Sequence, residues 1–388
     1  MLWSEAAPAP LRTTRRAWLT AWDLGVLAAG NAAVVAGLWL RAGGISKVHG
    51  VADALTSAGR LLGLLGAYCA LLELLLLARV PALERTVGLD RLAIWHRRNG
   101  KAVLYLLLGH FALILAGYAA TERVDPVTEV LRLEERYPGV LPATLGLALL
   151  VVVAVSSYRY ARRRLRYETW YFVHLYAYLA IVLAFSHQLA TGTDFLDDQV
   201  ARDYWYVLYL GTLGALVAFR LLAPALRAVL FDLRVDAVAA EGPGVVSLRL
   251  GGRRLERLGA RPGQFFLFRF LDRERWWEAH PFSLSQAPDG GSLRITVKSL
   301  GDFTARVAGV APGTRVIAEG PYGAFTEDAR RSRGVAFIAG GVGITPVRAL
   351  LEEARGDVVV IHRIARWGDA IFRDELERLA SARGARLH

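Results

Sequence analysis

Apolar residues gather into six long stretches within the first 230 positions, near 18–40, 58–78, 95–120, 140–158, 168–190 and 204–226. Segments 102–121, 140–158 and 169–193 contain no Asp, Glu, Lys or Arg. A bilayer core of ~30 Å takes about 20 helical residues, so six such stretches in series predict six membrane spans. Beyond 231 the pattern shortens to a period of two. Segments 232–239, 245–250, 264–271 and 293–300 read as strands, punctuated by Glu241-Gly-Pro-Gly244, Arg261-Pro-Gly263 and Pro288-Asp-Gly-Gly291. Short strands with such turns predict a small antiparallel β-barrel over 231–330. A third pattern starts at 334. An apolar strand enters Gly340-Gly-Val-Gly343, a helix opens around Thr345 and Pro346, and a strand at 357–364 and a helix at 369–383 follow. That β-α-β-α order is the opening half of a nucleotide-binding α/β domain, over 331–388.

The 388 residues are 54% hydrophobic and 21% charged, which excludes a disordered chain and argues against a wholly soluble one. The single cysteine, Cys69, excludes a disulfide framework and a cysteine-built metal site. Methionine occurs only at position 1, so any haem must be held by His or Tyr. The formal charge is +12, and the basic residues are placed by loop. They cluster in the 1–17 segment (Arg12, Arg15, Arg16), at 79–91, at Arg97, Arg98 and Lys101, and at 159–166. The opposite loops, 122–135 and 194–203, are acidic or mixed. Lys/Arg-rich loops lie on the cytoplasmic side, which predicts a multi-pass protein of the cell membrane with both termini cytoplasmic. The first stretch is too long for a signal-peptide core and reads as an uncleaved span. The positive charge is explained by topology and anionic lipid, with no nucleic-acid partner required.

Four of the eight histidines fall inside two spans: His96 and His110 in the third, His174 and His187 in the fifth. Each pair is separated by ~20 Å along a helix axis. Both spans run the same way, so His96 faces His174 at the inner level and His110 faces His187 at the outer level. Two facing imidazoles can clamp a haem iron from both sides, and two such levels make two stacked b haems. The 13-residue spacing leaves His187 about 140° from the face of His174, which calls for overwinding, a kink or a 3₁₀ turn in the fifth helix. Arg60 is read either as a haem-propionate partner or as a snorkelling side chain. Glu73 is read either as part of a proton path or as the partner of Arg79. In the tail, glycines at 340, 341 and 343 would let a phosphate approach the backbone at a helix N-terminus.

The chain resembles the ferric reductase/NADPH oxidase superfamily, and the resemblance covers nearly its whole length. It rests on the two spaced histidine pairs, His280-Pro-Phe-Ser283, Lys298-Ser-Leu-Gly-Asp-Phe-Thr304, Gly320-Pro-Tyr-Gly323 and Gly340-Gly-Val-Gly-Ile-Thr-Pro346, in that order. The resemblance implies a multi-domain α + β architecture, with a six-helix haem domain at 18–230 followed by FAD and NAD(P) domains like those of ferredoxin reductases. It implies that His280, Pro281, Phe282 and Ser283 line FAD, and that Lys298 and Thr304 fit its pyrophosphate. It implies that Gly340, Gly341, Gly343, Thr345 and Pro346 take the nicotinamide dinucleotide. Arg363 and Arg366 follow the second strand, where a 2′-phosphate would sit, which favours NADPH over NADH.

The implied activity is electron transfer from cytosolic NAD(P)H through FAD and two b haems to a small acceptor outside, ferric iron, a ferric chelate or dioxygen. Two alternatives stand beside it: a donor to a periplasmic protein or quinone partner, and a non-enzymatic haem protein of the membrane. Members of the superfamily continue past the second helix with a strand, a Cys-Gly-Pro segment and a terminal aromatic, which 331–388 lacks. Truncation is the favoured reading, ahead of a partner protein that completes the domain or impaired hydride donation.

Overall fold

The computed structural model describes residues 20–192 and 198–388. The 1–17 segment with its three arginines, and 193–197 of the acidic loop, lie outside them. The chain forms two compact units that divide between Ala218 and Phe219.

The first unit is helical: α1 Ala21–Arg41, α2 Val51–Leu76, α3 Pro81–Val87, α4 Leu89–Glu122, α5 Pro126–Arg136, α6 Val140–Ser157, α7 Arg159–Arg164, α8 Tyr167–Thr191 and α9 Gln199–Leu216. The last continues through a π-helical turn, Val217–Leu222, into α10, Ala223–Phe231. Pro224 explains the widened turn, because it lacks an N–H and its ring collides with the carbonyl four residues back. Among the described residues six helices are long and apolar enough to cross a membrane, and the protein is a multi-pass membrane protein. Polar signals set the ends. Thr20 and Asp23 cap α1 reciprocally, and Asp125 caps α5 with Pro126 in its first turn. α4 has 34 residues, or ~51 Å of helix, and outruns the bilayer core.

Small residues bring α2 against α4. A Cβ on Gly59 would meet Ile114 at 3.0 Å, and one on Gly66 would meet Leu107 at 2.7 Å. Membrane helices associate by such close approach, because lipid gives no hydrophobic drive between them. Val35, Leu64, Tyr68, Leu71 and Trp205 form the buried cluster where α1, α2 and α9 meet. Large apolar side chains such as Val182 and Leu210 face outward, as a lipid-facing surface requires.

Among the described residues the second unit carries nine strands. β1 Arg234–Gly242, β2 Val245–Gly251 and β5 Ser292–Lys298 form one antiparallel sheet, and β4 His280–Ser283, β3 Phe265–Phe270 and β6 Val316–Tyr322 form another. Single bridges, Arg234 to Arg315 and Leu284 to Ile295, join the two seams. The predicted barrel is therefore not closed by continuous ladders. Bulges in β1 and between Phe265 and Leu267 bend the sheets enough to meet but not to zip. The core between them follows the period-two pattern: Leu248, Leu250, Phe266, Phe268, Phe270 and Ile295 are fully buried.

A third, parallel sheet has the order β7 Val335–Gly340, β8 Val358–Arg363 and β9 Arg386–Leu387. The helices Ile344–Leu351 and Arg373–Arg383 are the crossovers; with Asp302–Arg306 as α11, they are α12 and α13. β9 is an addition to the predicted β-α-β-α order. At two residues it is too short to leave a periodic signal.

The β5 edge meets α13 through a buried ionic cluster. Arg294, 1% exposed, donates to both carboxylate oxygens of Glu375 at 3.1 and 2.8 Å, and its guanidinium lies over Phe372. Arg348 on α12 donates to the same carboxylate at 2.7 Å. Burial alone would raise the Glu375 carboxyl, but hydrogen bonds from Arg294 and the charge of Arg348 outweigh it and hold it below its ordinary value. Burial and the neighbouring Arg294 bring Arg348 down to about 10.

Candidate functional site

α4 and α8 bring the four membrane histidines together in two pairs. The ring centres of His96 and His174 are 6.0 Å apart, and those of His110 and His187 are 6.2 Å apart. Two imidazoles that bind one metal ion from opposite sides, at about 2.0–2.1 Å per bond, have ring centres roughly 6 Å apart. Both pairs fit that span. Among the described residues no group of three or more His, Cys, Asp or Glu could hold a metal. A metal held by either pair would have two imidazole ligands from the chain, and its remaining positions would be left to another group, as a haem iron's are.

The second ring nitrogens are engaged. His110 Nδ1 lies 2.9 Å from the Gly59 carbonyl, and His187 Nδ1 bonds the Ala184 carbonyl. His96 Nδ1 lies 3.3 Å from the Glu73 backbone carbonyl, with Glu73 Oε1 beside it at 2.9 Å, and His174 Nδ1 lies 3.3 Å from Ser157 Oγ. Carbonyls and carboxylates only accept, so in the first three the proton sits on Nδ1 and the lone pair is left on Nε2. Metal-binding histidines are fixed in tautomer and orientation by this kind of bond. Trp170 stacks on His174 at 5.1 Å and donates to Ser157 Oγ at 3.1 Å, which steadies the fourth ring.

The expected 3₁₀ turn in the fifth span is absent, and α8 is α-helical over Tyr167–Thr191. The His187 ring is instead folded against its own preceding turn by the Ala184 bond. Gly139, at φ +86°, lets the start of α6 close onto this residue, since a Cβ there would lie 2.8 Å from His187 Cα. Gly63 does the same for His110: its Cβ would fall 2.6 Å from His110 Nδ1. Glu73 holds His96 and accepts from Asn99 at 2.7 Å. Arg60 lines a cavity of about 470 Å³ with Arg41, Lys47 and Asp198. Most of these partner groups leave no trace in the sequence. Gly59 and Ala184 act through backbone carbonyls, which have no residue signature, whereas Glu73 stands out as an acidic residue within a span.

In the second unit, two of the sequence motifs meet. β4 is His280-Pro-Phe-Ser283, paired along β3 with Phe268 opposite His280. The His280 ring stacks on Phe303 at 3.8 Å, and Phe282 also faces Phe303. His280 Nε2 lies 3.0 Å from Glu278, which accepts from Arg306 at 3.0 Å. Pro281 stands opposite Leu267, Ser283 opposite Phe265, and Lys298 ends β5 opposite Val245. The Thr304 hydroxyl accepts from the backbone N–H groups of Leu300 and Gly301 at 2.9 and 3.0 Å, so it caps its own turn. That local role accounts for Thr304 without a phosphate.

Gly340 ends β7, and the turn Gly341–Gly343 leads into α12 at Ile344, one residue ahead of the expected start. Thr345 is buried and donates back to the Val342 carbonyl at 3.0 Å, within its own turn. Pro346 sits in the first turn of α12. His362 Nε2 lies 3.0 Å from the Gly341 carbonyl and holds the glycine turn from β8. Arg363 stands opposite Gly340 in the parallel register, at the carboxyl ends of the strands. Ligands of open α/β sheets bind outside those ends.

Two families match the chain in order. Residues 62–185 match the family described as ferric reductase like transmembrane component, and 233–326 match the FAD-binding domain. A superoxide-generating NADPH oxidase heavy chain of Dictyostelium discoideum is 20% identical over 317 residues, covering 73% of this chain and 58% of that protein. Respiratory burst oxidase homolog protein D of Arabidopsis thaliana is 24% identical over 210 residues, covering 47% of this chain and 22% of that one. Ferredoxin–NADP reductase B of Sorangium cellulosum is 34% identical over 107 residues, covering 26% and 44%. The chain thus spans less than two thirds of each of these relatives. His96, His110 and His174 fall in the first match, with His187 just beyond its end, and the His280 and Phe303 motifs fall in the second; the two matches and these relatives support the ferric reductase/NADPH oxidase superfamily.

Proposed function

We propose that the protein is an NAD(P)H-dependent oxidoreductase that carries electrons from the cytosol through FAD and two bis-histidine b haems to an acceptor on the far side of the membrane. The observation that carries this reading is the pair of imidazole pairs, each spaced for one metal and each with Nδ1 engaged. His96 and His174 would hold the inner haem, and His110 and His187 the outer one. A bound flavin would supply the conversion of a hydride's electron pair into single electrons, and haems held by these imidazoles would supply one-electron transfer. The residues supply position and fixed dipoles. Gly63 and Gly139 leave room for His110 and His187, the Nδ1 bonds lock the rings, and lipid-facing helices keep water out.

On the cytosolic side, the β3 and β4 strands with Phe303 offer an aromatic wall for a flavin, and Ser283 and Lys298 supply a hydroxyl and a charge. Gly340, Gly341 and Gly343 with Arg363 offer a turn and a cation for a phosphorylated nucleotide, NADPH ahead of NADH. The basic loops mark the cytoplasmic side of the helical unit, and the cavity beside Arg60 belongs to the opposite side. Ferric iron, a ferric chelate or dioxygen would be the acceptor class, since haems held by both imidazoles of each pair would pass electrons only by outer-sphere transfer. The test is anaerobic addition of NADPH to the purified full chain while flavin and haem absorbance are followed. Two b-type haems per chain should reduce after the flavin, and His110→Leu should leave one. Retention of both haems in that variant would refute the assignment.

A further inference from the structure

The four Nδ1 bonds are not equivalent, and the difference lies across the membrane. His110 and His187 donate to neutral amide carbonyls, those of Gly59 and Ala184. His174 faces the Ser157 hydroxyl. His96 Nδ1 bonds the Glu73 backbone carbonyl at 3.3 Å and, among the described residues, is the one of the four with a carboxylate beside it, Glu73 Oε1 at 2.9 Å. The site around Glu73 is built for it. Asn99 donates to the other carboxylate oxygen at 2.7 Å while also donating to the Cys69 carbonyl at 2.8 Å, so Asn99 is fixed by α2 and in turn fixes the carboxylate. Gly100 leaves the room, since a Cβ there would stand 2.9 Å from Glu73 Oε1. The two side chains are 17% and 23% exposed, so solvent screens the pair little.

We propose that Glu73 is a positioning residue that sets the His96/His174 haem at a lower reduction potential than the His110/His187 haem, so that electrons run downhill from the cytosolic level outward. This rests on the haem reading above. A carboxylate charge 2.9 Å from Nδ1 raises the basicity of the ligating Nε2 and favours the ferric over the ferrous iron. A neutral carbonyl does so less. The asymmetry therefore gives the wire a direction without any difference in its axial ligands.

The test is a potentiometric titration of the purified full chain, following haem absorbance, with Glu73→Gln. Glutamine keeps the acceptor oxygen and the shape but removes the charge. Repeating it in the His110→Leu background isolates the inner site. The expected result is that the lower-potential step moves up, by an amount that raises the ferrous/ferric ratio about tenfold at fixed potential, or about 59 mV for a one-electron couple. The other step should stay in place, and the low-spin ferric electron paramagnetic resonance signal of the inner haem should shift. Glu73→Leu, which removes the acceptor as well, should move the same step in the same direction. A pair of haems whose potentials ignore both substitutions, or move together, overturns the role of Glu73. Loss of the inner haem in Glu73→Gln overturns it too, by making Glu73 a mechanical prop. A wild-type chain without b-type absorbance overturns the haem reading itself, which is a distinguishable failure.

Discussion

Gly63→Ala is the smallest change that should remove one haem and leave the fold. The new Cβ would stand 2.6 Å from His110 Nδ1 and 2.8 Å from its Cε1, where ordinary contact begins at about 3.4 Å. The ring must retreat from α2 by about 0.8 Å, because the Cβ is fixed to the α2 backbone and cannot give way. Gly59 lies on that same helix, so the retreat lengthens the 2.9 Å bond from Nδ1 to its carbonyl past hydrogen-bond range. The lost bond is worth ~0.5–1.5 kcal/mol to the fold, and the substitution returns about 1 kcal/mol of helix propensity, so stability is nearly unchanged. The loss of the partner of a ligating histidine costs about 10–100-fold in metal affinity, and a displaced ring adds to that. The assay is haem per chain by pyridine haemochrome, with thermal melting alongside. Haem should fall from two towards one, with the melting temperature held within a few degrees. Two haems with an unaltered reduced spectrum would show that the ring is not confined as described, and the reasoning would fail.

The other predictions concern the second unit. Glu375→Gln should destabilise it by about 3–5 kcal/mol, since it strands the buried guanidinium of Arg294 beside Arg348; a melt of the full chain in detergent reads this directly. The Glu375 carboxyl is held below its ordinary value of 4.5, so its charge contributes stability above that value. The contribution is lost as pH falls further through the folded-state value, and the wild type should lose its advantage over Glu375→Gln there. Phe303→Ala removes the ring that His280 stacks on at 3.8 Å and should lower bound FAD, measured as flavin released on denaturation, with haem content unchanged. Arg363→Ala should raise the KM for NADPH about tenfold and leave that for NADH near its starting value; an equal rise for both would show that Arg363 does not read the 2′-phosphate.

Much of this molecule is written in its hydrophobic pattern. The six spans come from the long apolar runs, three of which hold wholly uncharged segments, because lipid imposes a length and a composition that no other setting does. What the pattern misses lies at their ends. α2 begins at Val51, ahead of its apolar run, and α4 runs to 34 residues, because a helix can project into water on polar residues once the buried part is fixed. The four histidines are legible because a polar side chain in lipid needs a reason, and their spacing gives the levels. The helical wheel misleads at His187, since the side-chain bond to Ala184, rather than a change in helix type, reorients the ring. β4 and β6 are concealed by Pro281 and by Gly320-Pro321, residues that ordinarily end strands and here lie in sheet-edge positions. Thr304 and Thr345 show the limit of motif reading. A hydroxyl beside a glycine turn can hold a phosphate or its own backbone, and only the folded chain shows that both are occupied locally.

The Arg294 cluster has a mechanical consequence. β5 belongs to the sheet beside the His280 motif, whereas Glu375 and Arg348 belong to the helices behind the glycine turn. Prising those layers apart would break both bonds from Arg294 to Glu375, which apolar surfaces sliding past each other would not require. A rotation of the nucleotide half that keeps this cluster intact would use it as a fulcrum. Travel should be greatest at the rim farthest from it and least at the strand carrying Arg294.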